Sequence, residues 1–83
     1  VRYRIEQEPG RDAFGSYGYR VYKGNQLVAR YWHDYRGDDH GIVFVNGKSL
    51  SCPGRMTDFI TGGGPEPIAL SEQAATYLDQ HFP

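Results

Sequence analysis

Apolar and polar residues alternate with a period of two over most of the first fifty positions, and the period lengthens to three or four further on. In "RYRIEQ" (2–7), Tyr3 and Ile5 alternate with Arg4 and Glu6, the pattern of a strand buried on one face. "SYGYRVYK" (16–23) and "QLVARYWHDYR" (26–36) flank Gly24-Asn25, a two-residue hairpin turn in which glycine supplies the positive φ. "GIVFV" (41–45) and "KSLSC" (48–52) flank Asn46-Gly47, which predicts a second hairpin with positive φ at both central positions. "IVFV" is apolar on both faces, as expected of a central or doubly covered strand. "PGRDAFG" (9–15) interrupts the chain between the first two strands.

Beyond Pro53, the spacing of Met56, Phe59 and Ile60 predicts a turn or two of helix ended by Gly62. "GGGPEP" reads as a flexible hinge followed by stiff prolines. "LSEQAATYLDQHF" predicts a helix: Ser71 can cap it, Glu72 suits the positive end of its dipole, and Leu70, Ala74, Tyr77, Leu78 and His81 or Phe82 share one stripe. The chain thus reads as one small domain over 1–83, with a sheet over 1–52, a loop with a short helix over 53–69 and a C-terminal helix over 70–82. The expected fold class is α+β, an antiparallel β-meander of about five strands with the C-terminal helix packed on one face.

Strict alternation from the Gly24-Asn25 turn sorts the first hairpin into two faces. Gly18, Arg20, Tyr22, Leu27, Ala29, Tyr31 and His33 fall on one, expected to lie under the helix. Tyr17, Tyr19, Val21, Lys23, Val28, Arg30, Trp32, Asp34 and Arg36 fall on the other, expected to form an outward aromatic and basic surface. Arg20 on the covered face, and Val21 and Val28 on the open one, fit this division poorly.

At 83 residues, 39% hydrophobic and 14% aromatic, the chain is a small globular domain and not a disordered one. It has no run of about 18 apolar residues, so no membrane helix is expected. The single Cys52 rules out an internal disulfide and fits a reducing compartment, so a cytoplasmic location is expected. The start at Val1 rather than Met leaves room for a removed leader. Net charge is −1, but residues 1–55 hold all nine Lys and Arg against six acids, whereas residues 56–83 hold four acids and no Lys or Arg. That asymmetry suits either an anionic partner for the front or docking of the two parts on each other.

The densest chemistry lies in Tyr31–Ile42, "YWHDYRGDDHGI". His33, Asp34, Asp38, Asp39 and His40 are all ligand types for a divalent metal. However, His33 and Asp34 are adjacent on a strand and point to opposite faces. The zincin helix spacing and the calcium-loop pattern are both absent. A solvated turn is the simpler reading. "RGD" at Arg36-Gly37-Asp38 is too short to carry weight. Cys52 has no neighbouring base motif and reads as a small buried thiol. "TGGGPEP" lacks the free N–H run of a phosphate loop, because Pro65 and Pro67 remove two donors.

These readings give no catalytic residue and no cofactor. They favour a small non-catalytic binding or interaction domain, with its contact region at the hairpin end Tyr31–His40 and the aromatic-basic face beside it, at Tyr17, Tyr19, Arg30, Trp32 and Arg36. Rings and arginines are enriched at protein interfaces, so a protein partner or a second copy of the chain ranks first. Single-stranded nucleic acid, stacked on the rings with phosphates on the cations, ranks second. A metal-dependent enzyme using His33, Asp38, Asp39 and His40 ranks third.

Overall fold

The structure is a computed structural model that describes residues 2–11 and 15–82. Part of the expected interruption at 9–15, and Val1, lie outside the described residues. Five strands, β1 (Arg4–Gln7), β2 (Tyr17–Lys23), β3 (Gln26–His33), β4 (His40–Phe44) and β5 (Ser49–Ser51), form one antiparallel sheet in chain order. A 3₁₀ turn (Met56–Asp58), the hairpin β6 (Ile60–Gly63) and β7 (Glu66–Leu70), and a helix α1 (Glu72–His81) follow. The fold is α+β, as the periodicity predicted. Among the described residues, no helix is long and apolar enough to cross a membrane.

Turn chemistry sets the hairpins. Gly24 takes φ +63° between Lys23 and Gln26, as a glycine-first two-residue turn requires. The second hairpin differs from expectation, because Asn46 does not have positive φ. The Gly47 N–H donates to the Phe44 carbonyl and the Phe44 N–H to the Lys48 carbonyl, so the loop has three residues and ends on Gly47 at φ +93°. The Asn46 side chain accepts from the Lys48 N–H, which settles the turn without straining asparagine.

One irregularity decides which side chains share a face. Tyr22 pairs with Leu27 but Val21 pairs with Ala29, so Val28 is an extra residue in β3. This bulge lets two consecutive apolar residues, Val28 and Ala29, both go inward. It also corrects the strict alternation. Tyr17, Tyr19 and Val21 join Ala29, Tyr31 and His33 on the covered face, while Gly18 and Arg20 join Arg30 and Trp32 on the opposite one.

The core lies between the covered face and α1. Tyr19, Val21, Tyr31, Ile42 and Phe44 from the sheet meet Phe59 and, from the helix, Ala74, Ala75 and Leu78. Ser71 caps α1, accepting from the Ala74 N–H and donating to the Asp58 carbonyl, while its own N–H donates to Phe59. The Tyr3 hydroxyl donates to Asp79 at 2.6 Å, the Tyr77 hydroxyl donates to the Ser51 carbonyl, and Arg2 pairs with Asp79 and Glu72. The basic front and acidic tail therefore dock on each other at these residues.

In the segment read as a loop with a short helix, 53–69, a single 3₁₀ turn at Met56–Asp58 stands where the helix is expected, and the β6–β7 hairpin takes the place of the loop. Gly62, Gly63 and Gly64 all have positive φ, and a Cβ at Gly62 would come within 2.0 Å of the Pro67 carbonyl oxygen. The glycine run is therefore a tight hairpin end that only glycine fits, and not a hinge.

Candidate functional site

The polar segment 33–40 is organised by Asp34. Its Oδ1 accepts the backbone N–H groups of Arg36, Gly37 and Asp38 at 2.6–3.1 Å, and its own N–H donates to the Asp39 carbonyl. Desolvation pushes the Asp34 carboxyl up, but the N–H groups of residues 36–39 outweigh it and hold the group below its ordinary value. Gly37, at φ +78°, leaves room for Met56, and its carbonyl accepts the Met56 N–H. Asp38 pairs with Arg55 at 3.1 Å. The turn is thus fastened to the 53–58 segment by its own polar groups.

His33 and His40 are direct cross-strand partners, 6% and 3% exposed. The Tyr19 hydroxyl lies 2.8 Å from His33 Nε2, and His33 Nδ1 lies 2.7 Å from the Asp34 carbonyl. The Tyr31 hydroxyl lies 2.8 Å from His40 Nδ1, and His40 Nε2 lies 3.0 Å from the carbonyls of Pro53 and Gly54. A carbonyl only accepts, so each ring donates to its carbonyl partner and accepts from its tyrosine. Tyr17 and Tyr19 stack on His33, and Phe59 meets His40 edge-on. Burial pushes the Tyr19 and Tyr31 hydroxyls up, which keeps them protonated as donors.

This arrangement is a satisfied polar core. All four imidazole nitrogens are engaged with protein groups, whereas Asp38 and Asp39 are exposed and Asp38 pairs with Arg55. The four residues singled out as metal ligands therefore do not converge, and among the described residues no group of three or more His, Cys, Asp or Glu side chains could hold an ion. Cys52 is half-buried, and burial lifts its thiol to about 12, so it is a poor nucleophile.

The other face of the sheet is open among the described residues. Arg4, Glu6 and Arg20 are exposed on it, and Tyr22, Arg30, Trp32 and Val43 are half-buried. Trp32 stands between two glycines, Gly18 and Gly41, in adjacent strands. Its indole covers Gly41, where a Cβ would come within 2.7 Å of Nε1, and Arg30 with Glu8 covers Gly18. Arg30 Nε reaches the two Glu8 oxygens at 3.0 and 3.2 Å, and Arg4 lies over the Tyr22 ring at 4.3 Å. Beyond Val43, Val45 is 67% exposed and Leu27, opposite Tyr22, is 42% exposed. The face therefore has a charged half made of β1, β2 and Arg30 of β3, and an apolar half made of Trp32, Val43, Val45 and Leu27.

The five residues expected to share a binding surface are divided by the bulge. Arg30 and Trp32 lie on the open face. Tyr19 is 4% exposed in the core and Tyr17 is half-buried beside it, so neither offers a free ring on that surface. Arg36 lies in the loop beyond β3, over the Tyr35 ring. Leu27 and Tyr22, expected under the helix, lie on this open face because the bulge falls just past them, and Val43 and Val45 had no assigned face. The apolar outward positions of "IVFV" carried the signal, but they also suit a strand covered on both sides. Compared with protein-family models, curated protein sequences and solved structures, the chain matches none.

Proposed function

We propose that this domain is a non-catalytic binding module that engages a protein partner through the open face of its sheet. The observation that supports this is the grouping of Trp32, Val43, Leu27 and Val45 on the face that no described element covers. Contiguous apolar surface rimmed by charge is characteristic of interaction sites, and tryptophan and arginine are the residues that most often dominate them. A patch on one face of a small sheet is suited to a transient complex more than to an obligate one.

Charge favours protein over the second reading, single-stranded nucleic acid. A nucleic-acid groove needs cations free for phosphates and several open rings. Here Arg30 is held by Glu8 and Arg4 by Glu6, while Tyr19 faces inward. The third reading, a metal-dependent enzyme, draws no support from His33 and His40, whose nitrogens are engaged within the core.

The test is capture by the domain compared with a Val43→Asp variant that melts at the same temperature, followed by rebinding of the purified captured protein. Loss of that purified complex in Val43→Asp supports the reading. Equal binding by both proteins moves the contact elsewhere, and quenching of Trp32 by single-stranded oligonucleotide that fades with salt restores the second reading.

A further inference from the structure

The charged half of the open face has an imbalance that constrains what can dock there. Arg20 and Arg30 are direct cross-strand partners, a like-charge rung that disfavours itself. Arg30 is neutralised by Glu8 at both carboxylate oxygens. Arg20 is not comparably served: among the described residues its one carboxylate is Glu6, at 4.0 Å, and Glu6 already takes a hydrogen bond from Arg4 through its other oxygen. Among the described residues three arginines thus share two carboxylates, and the exposed Arg20 is left with the weakest contact. Two strands away in the same row stands Val43, with Trp32 beside it. Neighbouring strands are about 4.8 Å apart, so Arg20 and Val43 are separated by about 10 Å.

Resting on the binding reading above, we propose that the partner presents an amphipathic helix whose apolar stripe covers Trp32 and Val43 and is continued, two turns along, by a carboxylate for Arg20. Residues two turns apart on a helix are about 10.5 Å apart, which matches that separation. A helix is also what covers the other face of this sheet, and a face made smooth by Trp32 over Gly41 and Arg30 over Gly18 accepts a second one. A carboxylate at Arg20 completes the unequal sharing of Glu6. A basic residue in that place would add to the Arg20–Arg30 repulsion, so the surface discriminates by charge as well as by shape.

The probes are two synthetic amphipathic peptides with the same leucine stripe, one flanked by glutamate and one by lysine, with Trp32 emission as the readout. The acidic peptide is expected to bind more tightly than the basic one. Arg20→Gln is expected to weaken the acidic peptide about two- to fivefold, as a rim ion pair does, and to leave the basic one unchanged or slightly improved. Equal binding of both peptides, unaltered by Arg20→Gln, would overturn the charge assignment while leaving the apolar docking face standing. Binding of neither peptide would overturn both. Binding of single-stranded oligonucleotide that Arg20→Gln abolishes would assign Arg20 to phosphate instead.

Discussion

Replacing Tyr31 by Phe removes a single oxygen from a side chain that is 1% exposed, so the packing volume barely changes. The loss falls on one hydrogen bond. His40 Nε2 is committed to the Pro53 and Gly54 carbonyls, so His40 Nδ1 accepts from Tyr31 and is left without a donor in the variant. Leaving a buried acceptor unsatisfied costs about 1–3 kcal/mol. A domain of this size holds about 4–12 kcal/mol in total, so the change is large. With a urea dependence of about 1 kcal/mol per molar, the midpoint of unfolding should fall by about 1–3 M. Tyr77→Phe is the control, since that hydroxyl donates to Ser51 in an exposed contact, and it should cost less than about 0.5 kcal/mol. In the double variant Tyr31→Phe, His40→Leu, the two losses should fall short of their sum by about 0.5–3 kcal/mol. A midpoint unmoved by Tyr31→Phe, with additive losses in the double variant, would refute the pairing and with it the assignment of both histidines to a satisfied core.

Gly41→Ala sets a methyl against the Trp32 indole and the Leu50 carbonyl, and should cost about 1–3 kcal/mol while shifting Trp32 emission to the red. Stability should fall as pH rises from about 9 through about 12, because the Cys52 thiol and the Tyr3 hydroxyl are both pushed up to about 12 in the fold. The unfolded chain releases those protons first and is favoured at alkaline pH, which denaturant melts from pH 8 to 11 would show as a falling midpoint. Asp34 shifts the other way, so its contribution is present above the ordinary carboxylate range and is lost on acidification. Asp34→Ala should flatten that acid limb and speed amide exchange at Gly37 and Asp38. Ser71→Ala should lower stability by about 1 kcal/mol through loss of the helix cap.

The first five strands and the final helix were legible because each rests on local signals: period-two alternation, Gly24, Gly47 and the Ser71 cap. Face assignment depended on something less local. A bulge at Val28 leaves the composition of β3 unchanged but reverses the parity of everything past it, so Tyr19 and Trp32 could not be separated by counting from the turn. The misfit of Arg20, Val21 and Val28 was the only trace of it in the sequence, and the bulge accounts for all three. The β6–β7 hairpin was missed because "GGGPEP" has the composition of a linker; its turn depends on the approach of Pro67 to Gly62 in three dimensions. In Tyr31–Ile42 the residue types were plain, but their roles depended on burial. His33 and His40 find tyrosines across the sheet, and Asp34 turns to its own backbone, so these three side chains of the stretch help to hold the fold.

The functional reading stands on the open face, and amide chemical-shift mapping by NMR tests it most directly. Titrating the labelled domain with the glutamate-flanked amphipathic peptide should move the resonances of Arg20, Arg30, Trp32 and Val43 together, along with the Trp32 indole N–H, and leave Tyr19, Tyr31 and the 34–39 turn in place. Shifts centred instead on the groove of about 240 Å³ that Tyr3 and Ile5 line with Ile68 and Ala69, or on the 34–39 turn, would contradict it.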